Sequence, residues 1–78
     1  MRWILTRTRP RRWELRTREG YVLAVAMRDA DGWFWRSEFA GTSGSAINCF
    51  DAKRQAREAV LAAVRRIYEA DERQRKSA

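Results

Sequence analysis

Residues 29–35, Asp29-Ala30-Asp31-Gly32-Trp33-Phe34-Trp35, decide how this chain folds. An Asp/Gly turn signal separates a mostly apolar run from a stretch holding two of the four tryptophans, which reads as a β-hairpin. The loop length matters because a slip of one residue moves every side chain of a strand to the opposite face. A two-residue loop places Trp13, Trp33 and Trp35 on the side of Val22, Ala24 and Ala26. Three-residue loops at Arg18-Glu19-Gly20 and Ala30-Asp31-Gly32, type I turns closed by a left-handed glycine, group Trp13, Leu15, Tyr21, Leu23, Val25, Met27, Trp33, Trp35 and Phe39 instead. The opposite face is then Arg12, Glu14, Arg16, Val22, Ala24, Ala26, Arg28, Phe34, Arg36 and Glu38. This second register separates apolar from polar more cleanly, so three-residue loops are the expectation.

Working upstream, residues 12–19 alternate with period two, Trp13, Leu15 and Thr17 against Arg12, Glu14, Arg16 and Arg18, as a half-buried strand does. Residues 21–28 are an apolar run of strand length. Residues 1–12 place Trp3, Ile4 and Leu5 before Pro10 and carry five arginines with no acid, which reads as a basic N-terminal arm or edge strand. Downstream, residues 41–47 read as a Gly/Ser connecting loop. They lack the Lys-Ser/Thr of a P-loop and the spacing of a dinucleotide fingerprint, which argues against a nucleotide cradle. Asn48 with Asp51 three residues on approximates a capping box. Ala56, Val60, Ala63, Val64 and Ile67 then recur at helical spacing.

The expected fold is α+β: a three-stranded antiparallel meander over 13–40, with an extra N-terminal edge strand as its variant. A long C-terminal helix over 48–74 covers one face. At 78 residues the chain is one domain, and domains this small bury only roughly 60% of their unfolded surface. The single cysteine, Cys49, cannot form an internal disulfide, and the chain has no histidine. Bulky aromatics or a second copy must therefore supply stability.

Chemistry is sparsely provided. Without histidine there is no ordinary acid/base group near neutral pH, no Cys/His metal site is expected, and the reading is of a non-enzyme without a cofactor. Asp29 and Asp31 are explained by turn bonding, and Glu14 and Glu38 by pairing with neighbouring arginines. Cys49 at a helix start is weighed as a polarised thiol against a small buried hydrophobe, and the second reading is preferred. No apolar run approaches the ~20 residues of a membrane span, and Thr6 to Arg12 leave no signal-peptide core, so a cytoplasmic protein without membrane contact is expected.

The charge is +7, carried by 15 Arg and 2 Lys. A basic balance with an Arg-rich arm and aromatic strands is the footprint of nucleic-acid binding, and Arg7, Arg9, Arg11, Arg12, Arg16, Arg28, Phe34 and Arg36 are its candidate residues. A plain solvated basic surface is the alternative. A candidate homodimer interface is formed by Trp3, Ile4, Leu5 with Val22, Ala24 and Ala26, an apolar strip rimmed by charge. The expected function is a small binding module of nucleic-acid-binding or phage-related accessory kind. The second expectation is a homodimerising interaction or structural module.

Trp13, the Gly20 turn, Asp31-Gly32-Trp33-Phe34-Trp35, Gly41 through Ser45 and Asn48-Cys49-Phe50-Asp51-Ala52-Lys53 follow one another in a pattern covering about half the chain. It resembles small proteins of bacterial and prophage genomes. The resemblance implies a β-hairpin-plus-helix fold and no particular activity. The loop and helix start are also similar to the antitoxin-like half of HicB proteins, but the apolar-Gly strand signature of that family is missing and no function carries over.

Overall fold

The structure, a computed structural model, describes residues 1–7 and 9–77, with side chains to residue 75. Strands β1 (Arg2–Leu5), β2 (Trp13–Arg16), β3 (Val22–Asp29), β4 (Gly32–Ser37) and β5 (Thr42–Ala46) precede one helix, α1 (Cys49–Ser77). The strands lie side by side in chain order and every neighbouring pair is antiparallel. The fold is α+β with the helix on one face of one sheet; the sheet has five strands rather than a three-stranded meander, β1 being the N-terminal edge strand expected as its variant and β5 an addition. The expected Gly/Ser loop at 41–47 is largely β5. Its composition is poor for a strand, but pairing with β4 from Trp33↔Ala46 to Ser37↔Thr42 overrides that preference.

The first hairpin has the expected three-residue loop. The Thr17 N–H donates to the Tyr21 carbonyl at 2.9 Å and the Gly20 N–H to the Thr17 carbonyl at 3.0 Å, with Gly20 at φ 97. The ladder then slips: Arg16 pairs with Val22, but Leu15 pairs with Ala24, leaving Leu23 as the extra residue of a β-bulge. The second hairpin departs from expectation, because Asp29 pairs directly with Gly32 around a two-residue loop, Ala30-Asp31. The Asp31 N–H donates to Asp29 Oδ1 at 2.8 Å, and Gly32 at φ 123 takes up the backbone distortion. Together the bulge and the short turn set β3 with Ala24 and Ala26 towards the helix and Val25 and Met27 away from it.

Volume explains why this face wins. Directly opposite partners form a row across the sheet, Leu5–Trp13–Ala26–Trp35–Gly44, in which small residues alternate with indoles. A face built from Leu23, Val25 and Met27 between the tryptophans would hold α1 off the sheet. With alanines there, Ala52, Ala56 and Val60 of the helix sink to full burial against Leu15, Ala24, Ala26 and Trp35. Gly44 serves the same geometry: a Cβ there would lie 2.9 Å from Trp35 Nε1. At the edge of this face the Lys53 ammonium sits 4.0 Å from the Trp13 ring centroid and 5.9 Å from that of Trp3.

The start of α1 is anchored by side chains. The Asp51 N–H donates to Asn48 Oδ1 at 2.8 Å, and Asp51 Oδ2 accepts from the Ile47 N–H at 3.1 Å and from Gln55 Nε2 at 2.9 Å. Gln55 Oε1 in turn accepts from Trp35 Nε1 at 3.0 Å, so the cap is wired to the central indole. The Ile47 N–H, and next Arg54, hold the Asp51 carboxyl below its ordinary pKa. At 1.5 Å per residue the 29-residue helix runs roughly 44 Å. Its side chains from Arg65 to Arg75 are all exposed, so the C-terminal turns project past the sheet.

Candidate nucleic-acid interface

The helix covers one face of the sheet, and the other is open. Directly opposite partners on it form the row Ile4–Glu14–Val25–Arg36–Ser43 and, beside it, Met27–Phe34–Ser45. Val25, Met27 and Phe34 are half-buried, giving an apolar floor without a covering layer. Around Val25 and Leu23 the surface dips into a depression of about 190 Å³ whose charged walls are Arg12, Glu14, Arg36 and Glu38.

Glu14 organises this face. It is only 3% exposed although nothing packs over the sheet there, because two arginines enclose its carboxylate. Arg12 presents Nε and Nη2 to Oε2 at 3.1 and 3.0 Å. Arg16 presents Nε to Oε1 at 3.1 Å and also brings Nη2 onto Oε1. The hydrogen bond from Arg16 depresses the Glu14 pKa most; burial opposes it and Arg12 adds to it. The cluster carries a net positive charge, and both guanidinium groups are held in fixed orientation with solvent-facing N–H donors left over. Arg36 is mostly exposed and only loosely paired with Glu38 at 4.0 Å.

Of the residues expected to bind nucleic acid, Arg12, Arg16, Phe34 and Arg36 come together here. Arg28 does not: it stands opposite Trp33 on the helix-side parity, a consequence of the reversed β3 register. Arg7, Arg9 and Arg11 lie exposed in the loop joining β1 to β2, which is closed by Thr6 N–H to the Arg12 carbonyl (2.9 Å) and Arg12 N–H to Thr6 Oγ1 (3.0 Å). The basic segment is thus a tethered hairpin loop on an edge strand.

The expected dimer strip is not one surface. Ala24 and Ala26 are buried beneath the helix, so neither can meet a partner. Trp3 and Leu5 share the helix-side face with Trp13 and Leu15, Ile4 lies on the open face beside Glu14, and Val22 is exposed opposite Arg16. The apolar floor of Val25 and Met27 was missed by sequence reasoning, which set both on the helix side; Arg2, read there as part of the basic arm, stands opposite Arg16. The Arg12–Glu14–Arg16 cluster was legible in the alternation itself, which puts all three on one face.

Among the described residues no three His, Cys, Asp or Glu side chains gather as a metal site, and no helix is long and apolar enough to cross a membrane. No family model matches the chain, and no curated protein or solved structure matches it.

Proposed function

We propose that this chain is a small non-enzymatic module that binds single-stranded nucleic acid across its open sheet face. The carrying observation is the pair of guanidinium groups aligned by Glu14 beside the uncovered floor of Val25, Met27 and Phe34. Open sheets take single strands by stacking bases on aromatic side chains while arginines follow the phosphates. Phe34 supplies the ring, and Arg12, Arg16 and Arg36 the cations. Arg7, Arg9 and Arg11 extend the positive path from Arg12 along the β1–β2 loop. Aligning Arg12 and Arg16 beforehand lowers the ordering cost of gripping a phosphate.

The test is fluorescence anisotropy of the full chain with a short labelled single-stranded oligonucleotide over a range of salt. Affinity is expected to fall steeply with salt, each phosphate contact contributing a slope of about 0.7 on a log–log plot. Phe34→Ala is expected to weaken binding by about 10-fold or more. Replacing Arg7, Arg9 and Arg11 should flatten the salt slope. Absence of binding at low salt, or binding indifferent to Phe34, Arg12 and Arg16, overturns the proposal.

A further inference from the structure

We infer that two copies of this chain pair through β5, edge to edge and antiparallel, extending the five-stranded sheet across a twofold axis. The two edges of the sheet differ. β1 begins with Arg2, and the loop after it carries Arg7, Arg9, Arg11 and Arg12, charges of the kind that keep a strand edge from recruiting another. β5 is Thr42-Ser43-Gly44-Ser45-Ala46, without charge or proline. It sits within residues 39–50, which hold no charged side chain at all, the longest such stretch in the chain. Two copies with a charge of +7 each repel, and this strip is where they meet without opposing like charges.

Large apolar side chains flank the strip at both ends. Phe39, in the turn before β5, is 43% exposed, while Ile47 and Phe50 after it are 87% and 76% exposed. The helix cap fixes this junction through Asn48 and Asp51. Ile47 stands at the position that usually staples to the fourth helical residue, but that residue, Ala52, is fully buried against the sheet, and Ile47 is left in solvent.

These ends are complementary under a twofold axis. Antiparallel pairing centred on Gly44 sets residue i opposite residue 88 − i of the second copy. Ser43 then meets Ser45, and Thr42 meets Ala46. Beyond the strand, the turn holding Phe39 in one copy falls opposite the junction holding Ile47 and Phe50 in the other, twice over. Each residue contacts its counterpart reciprocally, as an isologous interface requires.

The test is sedimentation velocity of the full chain at micromolar concentration, with no nucleic acid present, so its outcome is independent of the binding reading above. The wild type is expected to sediment as a dimer. Ile47→Glu/Phe50→Glu, both at exposed positions, is expected to retain the near-ultraviolet circular dichroism of the tryptophan core while weakening association about 100-fold or more. If that variant does not fold, Ser43→Lys/Ser45→Lys on the open face makes the same test by opposing like charges across the axis. Ile67→Glu and Leu5→Glu are expected to leave the dimer intact. Slowed amide exchange over 42–46 that is lost on dilution supports the pairing. A monomeric wild type, a dimer that survives both edge variants, or one dissolved by Ile67→Glu or Leu5→Glu overturns it.

Discussion

Gly44→Ala sets two physical effects against each other with opposite signs. Gly44 has no positive φ, so an alanine is free to adopt its backbone. On chain entropy alone the substitution stabilises a strand by about 0.4–1 kcal/mol. Its new Cβ, however, would lie 2.9 Å from Trp35 Nε1 and 3.2 Å from two ring carbons of that buried indole. Trp35 is held between Ala26 on one side and Gly44 on the other, and its Nε1 donates to Gln55 at 3.0 Å. Moving the ring by a few tenths of an ångström incurs an overpacking cost of about 1–3 kcal/mol. Weakening the Gln55 hydrogen bond costs about 0.5–1.5 kcal/mol more. The balance is a net loss of about 1–3 kcal/mol, which in a domain of this size lowers Tm by roughly 5–20 °C. Thermal and urea unfolding followed by circular dichroism measure it, with exposed Ser43→Ala as a control expected within about 0.5 kcal/mol of wild type. In a Gln55→Ala background the Gly44→Ala loss should shrink, because the hydrogen bond is already gone. A Gly44→Ala protein as stable as wild type, or more so, would refute the packing of Trp35 over β5.

Other outcomes follow from the same geometry. Ala26→Leu is expected to destabilise by at least about 2 kcal/mol, while Met27→Leu on the open face changes stability by less than about 1 kcal/mol; urea unfolding showing the reverse order would restore the three-residue turn. Glu14→Gln should cost about 1–2 kcal/mol at pH 7, less than a fully buried pair because both arginines reach water. Because the Glu14 pKa is lowered on folding, its contribution is complete above its ordinary value of 4.5 and is lost as the pH falls through the lower folded value. The wild-type and Glu14→Gln stabilities should therefore converge in acid, and a gap that stays constant from pH 7 to pH 3 would contradict the charge-based account. Lys53→Gln should cost about 1 kcal/mol in denaturant unfolding, with Lys53→Arg recovering most of it, if the ammonium over Trp13 and Trp3 contributes as a cation–π contact.

Features that depend on near neighbours were readable in the sequence. Asn48 and Asp51 announced the start of α1, and the spacing of Ala56, Val60 and Ala63 named its buried stripe, although Ile67, read into the same stripe, lies exposed beyond the sheet. The Arg18-Glu19-Gly20 loop followed from turn chemistry. The register of β3 did not, because hydrophobic sorting rewards placing large residues together, whereas the helix requires room between indoles. Nothing local to Ala24 or Ala26 says that bulk must come from Trp13 and Trp35 on the neighbouring strands. β5 was hidden for a related reason: Gly44 and Ser43 have poor strand preference, and their partners lie on β4. On the open face, Arg12, Arg16, Phe34 and Arg36 were legible because simple alternation placed them, while Arg28 was misplaced by the turn.

The bulge at Leu23 separates two demands that a regular ladder could not meet together. The loop at 18–20 sets one phase of the pleat, and the alanine face of β3 requires the other; the unpaired residue absorbs the half-period between them. Each side of that joint can therefore vary without dictating to the other. Losing one residue at position 23 would leave Arg16 opposite Val22 and Leu15 opposite Ala24, whereas losing Val25 would put Ala26 opposite Glu14 on the open face. For a lineage of such chains, that joint is where a change of length does least harm.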